Sequence, residues 1–597
     1  MTSSDGLSRK KQKRGGKNSL SDLKILGQQL LSSRANVNNL PILLSFISPS
    51  SPPHYALESL LSLQSFFTPL LPELPSSAFS KTSSDSNADP EFIYRTWLRS
   101  KFDDLVQSLI EVSISSQSED TLREVVLETI MEFVKVGNGG KFHSAIYHKL
   151  LHSIVHSTLT VGDSLLDLLA SKYFNYIDVR YFTYIILEKL ARTLEAKEDK
   201  KGISGIYNGS QSITSVEHST HKIHNLLSHI PSLEASEENS EYEMWNGLGI
   251  FIEKSNIKGH IDLEDKRTKS KKSSDKVLSE SNIAKKMKLK FTKAWISFLQ
   301  LPLPLDVYKE VLVTLHQNVI PHLSKPIMLC DFLTRSYNIG GVVSVMALSS
   351  LYVLMTKHGL EYPDFYDKLY ALLEPSIFMA KHRAKFFQLL DSCLKSPLLP
   401  AYLAAAFCKK LSRLALCVPP SGALVIVALV HNLLQRHPSI NCLVHQERSR
   451  ETTEEASGEE KHNVDDEENS SANGDSSVKK SGIDHFNNEE SNPKETNAIR
   501  SSLWEFDTLR HHYCPPVSRF FLSFENDLAV RGKTAEIAVK DFSSGSYATI
   551  FNNEMRRRVK QVPLAFYKAT PSCLFSESDF PGWTFRLKDE DLISLNQ

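Results

Sequence analysis

Seven cysteines in 597 residues, none before Cys330 and no two close together, are too few and too scattered for a disulfide framework, and one is left over. That is the thiol usage of a reducing compartment. No apolar stretch follows the basic N-terminus, so a secretory signal is lacking and the chain reads as cytosolic or nuclear. No run reaches the roughly 20 apolar residues that cross a bilayer. The two longest, 339–355 and 423–434, are expected to be buried core helices, and no membrane contact is expected. Strand alternation is scarce, which disfavours a sheet.

Catalytic motifs are lacking too. GKT at 532–534 has Asp527 where a phosphate loop requires glycine, and Gly340 and Gly341 have neither a leading strand nor the dinucleotide spacing. Motifs of serine hydrolases and protein kinases are absent. His148, His152 and His156 recur every four residues of an expected helix, but three such turns span roughly 12 Å, too far for one metal ion. A half-buried polar helix face is the better reading. His511, His512 and Cys514 lie close in sequence without a positioned base or an oxyanion pocket to make a nucleophile. No enzymatic activity, cofactor, metal or small-molecule substrate is therefore expected.

What is present is charge in blocks. Net charge is zero, yet residues 9–17 are basic, residues 254–293 carry about eight more Lys and Arg than acids, and residues 451–500 about nine more acids than bases. Arg9, Lys10, Lys11, Lys13, Arg14 and Lys17 are candidates for a nuclear import signal. Lys266, Arg267, Lys269, Lys271, Lys272, Lys285 and Lys286 are candidates for RNA-phosphate contact, non-specific because no aromatic residues interleave them, with plain solvated charge the competing reading. Arg556 to Arg558 form a further short basic run.

Helical periodicity supplies the rest. Leu98, Phe102, Leu105, Val106, Leu109 and Ile110 share one helix face, as do Leu122, Val125, Val126, Ile130 and Phe133 in a helix expected to end before Gly137. Residues 198–216 lack apolar periodicity and read as a loop. From Trp295 the chain is densely apolar, and proline marks the helix ends. Stripes at Phe386, Phe387, Leu390, Cys393, Leu394 and at Leu403, Ala406, Phe407, Leu411, Leu414 suggest paired helices. The expected fold is all-α, a HEAT-like helical solenoid with disordered charged linkers and an extended C-terminal tail. Its segments are a basic tail (1–17), a helical repeat region (18–253), a basic linker (254–282), a helical domain (283–445), an acidic linker (446–500), and C-terminal helices with an extended tail (501–597). Trp504, Phe506, Tyr513, Trp583 and Phe585 of the last segment are candidate partner anchors, since aromatic side chains dominate binding hot spots, with core packing of the terminal helices the competing reading.

Residues 295–445 resemble the domain of the CCAAT-binding-factor class of ribosome-assembly proteins. The residues that carry it are FLTRSYNIGGVVSVMALSSLYVLMTKHGLEYPDFYDKLYALLEP (332–375), RAKFFQLLDSCLKSPLLPAYLAAAFCKKLSRLAL (383–416) and PPSGALVIVALVHNLLQRHPSINCLVH (419–445). The trailing SSLWEFDTLRHHYCPPV (501–517) is similar to the signature of the nucleolar complex protein four family within that class. The resemblance covers about a quarter to a third of the chain. It implies a HEAT-like fold, a nucleolar location and no enzymatic activity. It further implies a stable complex with a second nucleolar protein, the fourteenth of the nucleolar protein series, inside the small-subunit processome. The implied role is 18S ribosomal RNA maturation and pre-40S export. A different class of function, a regulator that binds RNA or DNA directly through its basic linkers, competes with this one.

Overall fold

A computed structural model describes residues 19–75, 90–157, 161–203, 209–231, 243–246, 280–444, 484–521 and 535–557. Among them there are helices and turns and no strand, as the 3.6-residue periodicity predicts. The chain divides into two units at Leu372 and Leu373.

The first unit opens with α1 (Leu20–Ser32), α2 (Asn39–Leu44), α3 (Pro53–Leu70), α4 (Pro90–Ile114) and α5 (Asp120–Gly140). It continues through α6 (Ser144–His156), α7 (Val161–Tyr173), α8 (Ile177–Ile203), α9 (Gly209–His229) and α10 (Glu280–Leu299). It closes with α11 (Leu305–Asn318), α12 (Cys330–Asn338), α13 (Gly341–His358) and α14 (Phe365–Ala371). Packing is local, with α1 on α3, α4 on α5, α6 on α9, α8 on α10, and α11 and α12 on α13. Neighbour-on-neighbour contact of this kind is what a solenoid requires.

Ser19 starts α1 with a capping box, accepting from the Asp22 amide while the Asp22 carboxylate accepts from its own. The stripes of α4 and α5 meet α3 in the core through ring contacts, Phe67 to Phe102 tilted and Phe102 to Phe133 edge-on, both 5.3 Å between centroids. Each ring is fully buried, worth about 1.5–3 kcal/mol. Tyr147 and Thr183 join α6 to α8 by a buried hydroxyl pair at 2.7 Å. A short strap, Glu243 to Asn246, is fastened by the buried Asp178 carboxylate, which accepts from the amides of Trp245 (2.9 Å) and Asn246 (2.7 Å).

Several expectations change here. Helix α5 does not end before Gly137 but runs on to Gly140, because a residue without Cβ lets the His143 ring lie against the helix; a Cβ there would stand 2.6 Å from His143 Cδ2. Residues 198–216, read as a loop, hold the end of α8 and the start of α9. The apolar run 339–355 forms α13, buried along one side only, at Ser344, Ala347, Leu348, Ser350, Leu351 and Leu354, while Val342 is 59% exposed. It is the one helix among the described residues long and apolar enough to cross a membrane by length and composition. Gly359 ends it at φ 67°, the left-handed position that glycine takes without strain.

The second unit holds α15 (Arg383–Cys393), α16 (Ala401–Ala415), α17 (Pro420–Arg436), α18 (Trp504–Leu509), α19 (Pro515–Phe521), α20 (Val539–Ser543) and α21 (Tyr547–Met555). Its centre is α17, the second apolar run, buried on all sides from Ala423 to Leu434 except at Leu424. Helix α16 packs along α17, and α15 and α17 both meet α20. Arg436 ties these together by pairing with Asp391 at 2.8 Å and Glu536 at 2.9 Å. Pro400 and Pro419 stand at the N-caps of α16 and α17, where a missing N–H costs nothing.

Candidate functional site

Helix α16 buries Ala404, Ala405, Ala406, Phe407 and Cys408 in succession, so the lysine that follows is carried inside as well. Lys409 is fully buried, and its ammonium would be costly there alone. The chain supplies two carboxylates from far along the sequence. Glu505 of α18, also fully buried, pairs with Lys409 at 2.6 Å, and Asp484 lies 3.1 Å away. The Ser502 carbonyl accepts a third bond from the same ammonium at 2.6 Å. One turn on, Arg413 pairs with Asp484 at 2.6 Å and with Glu505 at 2.8 Å. Two cations and two anions thus close a neutral cluster.

Asp484 is the most heavily bonded member. It accepts from the Ser501 hydroxyl, from the Trp504 indole N–H at 2.8 Å and from the Phe486 amide at 3.1 Å. Burial alone would raise its pKa, but those donors and Lys409 hold it well below the ordinary carboxylate range. Burial shifts Glu505 the other way, upward, against the pull of Lys409. The acidic segment 446–500 was expected to be a disordered linker throughout, yet from Asp484 onward it packs on α16, with Phe486, Thr496 and Ala498 buried. The physical reason is Lys409 and Arg413, which give Asp484 a better environment than water.

The cluster fixes the surface above it. The Arg413 guanidinium lies 4.6 Å from the centroid of the Trp504 ring, leaving Trp504 39% exposed. That ring stands at the rim of a cavity of about 320 Å³ lined by Leu443, Val444, Leu503, Arg510 and Phe521. Tyr513 is 76% exposed and stacks on His512 at 4.4 Å. Phe506, expected among the partner anchors, is instead core: it is 4% exposed and faces Phe521 at 6.2 Å. Both side chains line that cavity, Trp504 at its exposed rim and Phe506 buried within it. Trp583 and Phe585 lie outside the described residues.

Of the basic candidates, Lys285 and Lys286 are exposed on the first turns of α10. Arg9, Lys10, Lys11, Lys13, Arg14 and Lys17, and Lys266, Arg267, Lys269, Lys271 and Lys272, lie outside the described residues. His148, His152 and His156 line one side of α6, with ring centroids 6.1 and 4.4 Å apart. Partial burial lowers the pKa of all three, His156 to about 4. No set of His, Cys, Asp and Glu among the described residues is arranged to hold a metal. Burial pushes the Cys393 thiol up to about 12 and Cys408 higher still, so neither is a ready thiolate. Nδ1 of His512 accepts from the Cys514 backbone amide at 3.0 Å, which turns that nitrogen to capping the turn.

Sequence reading did not find Lys409, Arg413, Asp484 or Glu505. The usable signal was the unbroken apolar turn 403–408, which leaves no solvent side for the next residue.

Comparison with known proteins agrees with this architecture. Residues 344–521, which take in α16 and the whole ion cluster, match the CBF/Mak21 family model. Residues 13–199 match a model described as nucleolar complex protein 4-like, TPR repeats. HEAT and TPR units are both stacked helix pairs, so the fold class is unchanged. Protein NUCLEOLAR COMPLEX ASSOCIATED 4 of Arabidopsis thaliana is 58% identical over 586 residues, covering 98% of each chain. Nucleolar complex protein 4 homolog B of Xenopus laevis is 30% identical, covering 79% of this chain and 78% of its own. Nucleolar complex protein 4 homolog of Mus musculus is 30% identical and covers 80% of both. With likeness of that extent over both halves, this chain belongs to the nucleolar complex protein 4 family.

Proposed function

We propose that this chain is a non-catalytic scaffold in small ribosomal subunit biogenesis. It acts in 18S ribosomal RNA maturation and pre-40S export, paired with a nucleolar protein of the fourteenth type within the small-subunit processome. The family is one of nucleolar ribosome-biogenesis factors, and the chain accordingly works in the nucleolus. The observation that carries the scaffold reading is the ion cluster on α16. It holds Trp504 rigidly at the rim of a cavity, and a pre-ordered aromatic anchor is what a stable protein interface uses. Tyr513 is a second exposed aromatic side chain of the same segment. The run 9–17 serves as the import signal.

Tagged protein recovered from nuclear extract after nuclease treatment is expected to retain one large nucleolar protein in stoichiometric amount. Trp504→Ala with Tyr513→Ala should lower that recovery at least tenfold, given the 2 kcal/mol or more typical of a hot spot. Undiminished recovery would move the interface elsewhere, and loss of every partner on nuclease treatment would replace the scaffold by direct RNA binding. A second reading, direct RNA-phosphate contact, has one observation in its favour: Lys285 and Lys286 of the 254–293 basic block stand exposed on α10.

A further inference from the structure

Helix α10 buries an apolar seam of Ile283, Met287, Phe291, Ala294, Trp295 and Phe298. Nothing in that packing dictates its outer side. Yet from Lys285 to Lys293 it carries lysine at 285, 286, 288, 290 and 293 and no acid. Lys285 and Lys288, Lys286 and Lys290, and Lys290 and Lys293 are like-charged neighbours across one turn. Each such pair opposes the helix by a few tenths of a kcal/mol. A mixed surface would have avoided that cost.

Helix α8 lies alongside, joined by the Tyr184 and Phe291 rings at 5.6 Å and by Arg192 Nε donating to Ser297 Oγ at 3.4 Å. It exposes Lys189, Arg192 and Lys197. The carboxylate between the two helices, Glu188, is nearly buried and already taken by Arg192 at 2.8 Å and Lys290 at 4.0 Å. Among the described residues, no carboxylate pairs with Lys189, Lys197, Lys285, Lys286 or Lys293. On the far side of α8, His148 and His152 of α6 stand close enough to Lys189 and Lys197 to feel their charge.

We propose that the outer face of α8 and α10 binds the phosphate backbone of RNA, without reading its sequence, through Lys189, Lys197, Lys285, Lys286 and Lys293. This deepens the RNA-contact reading above and moves it from the basic linker onto folded helices. Lysine is depleted in protein interfaces, which need apolar anchors, and on the outer side of α10 Leu289 is the one such residue exposed. Phosphate needs only mobile cations, whose counterions the ligand releases. No exposed aromatic ring on α8 or α10 offers a stacking platform, so the contact is to backbone rather than to splayed bases.

The test titrates the full-length chain against a fluorescein-labelled RNA duplex by anisotropy at several KCl concentrations. The variant replaces the five lysines by glutamine (Lys189→Gln, Lys197→Gln, Lys285→Gln, Lys286→Gln, Lys293→Gln), with circular dichroism to confirm an unchanged fold. Affinity should fall at least tenfold, and the slope of log K against log salt should flatten by about four. A second variant neutralises Lys266, Arg267, Lys269, Lys271 and Lys272. If only that one loses RNA, the helical face is refuted while RNA contact survives. If the unaltered chain binds no RNA at low salt, both fall. Polyglutamate competing as well as RNA would assign the face to an acidic protein, and tighter binding of a DNA duplex would overturn the choice of RNA.

Discussion

On α16, Lys409 sits without solvent contact between two carboxylates, whereas on α10 the lysines at 285, 286 and 293 face outward with none. The residue type and the helical setting are the same. What differs is the surrounding of the helix: α16 is packed on several sides around Lys409, and the first half of α10, which carries Lys285 and Lys286, along one seam. A charge inside must be met by charge, so Lys409 organises the protein. A charge outside is met by water, so the α10 lysines remain available for a ligand. Charged residues in this chain thus have two uses, and burial separates them.

Breaking the buried side of that comparison should have the largest effect. Lys409→Met leaves Glu505 and Asp484 short of a cation and is expected to cost about 3–5 kcal/mol. Hydrogen exchange of the α16 amides by mass spectrometry would show it as lost protection. Adding Glu505→Leu to Lys409→Met removes an anion as well, and should return a good part of the loss. A double variant as weak as the single would mean that packing, rather than unpaired charge, carries the penalty.

His156 of α6, half-buried, sits between the two cases. Burial and the neighbouring His152 and Lys197 depress His156 to about 4. The folded state therefore binds fewer protons than the unfolded one below the ordinary histidine value of about 6.5. Its contribution is complete above pH 6.5 and is lost as pH falls from 6.5 through 4. Solvent screening of a half-exposed ring reduces this to the order of 1 kcal/mol. The urea midpoint of the unaltered chain should fall more steeply over that interval than that of His156→Gln, and parallel curves would remove the ring from the account.

At the small end, Lys285→Gln with Lys293→Gln should change the unfolding free energy obtained from urea titration by no more than about 0.5 kcal/mol, because exposed charges contribute little. A large loss there would mean that α10 depends on its lysines for folding, and the contrast with α16 would collapse.

Much of the fold was legible from spacing. The stripes at Leu98 to Ile110 and Phe386 to Leu394 are buried as read, since helical period alone decides which side of a segment faces inward. Prolines at 304, 400 and 419 mark helix starts because the ring excludes other positions. The exposure of the candidate anchors was half legible: Trp504 and Tyr513 face outward, but Phe506 is turned inward because aromatic content says nothing about facing. Asp484 and the residues after it were read as solvated linker, since acid, serine and asparagine in a row look soluble by composition. The cation that overrules composition lies 75 positions earlier in the chain.

By itself the sequence determined the helices, their inward faces, the reducing compartment and the blocks of charge, because each depends on local periodicity or on composition. Only the tertiary structure decided which charges are spent inside and which are left outside. Lys409 meets Asp484 and Glu505, and α8 meets α10, through contacts between segments far apart in sequence, and no local rule specifies those.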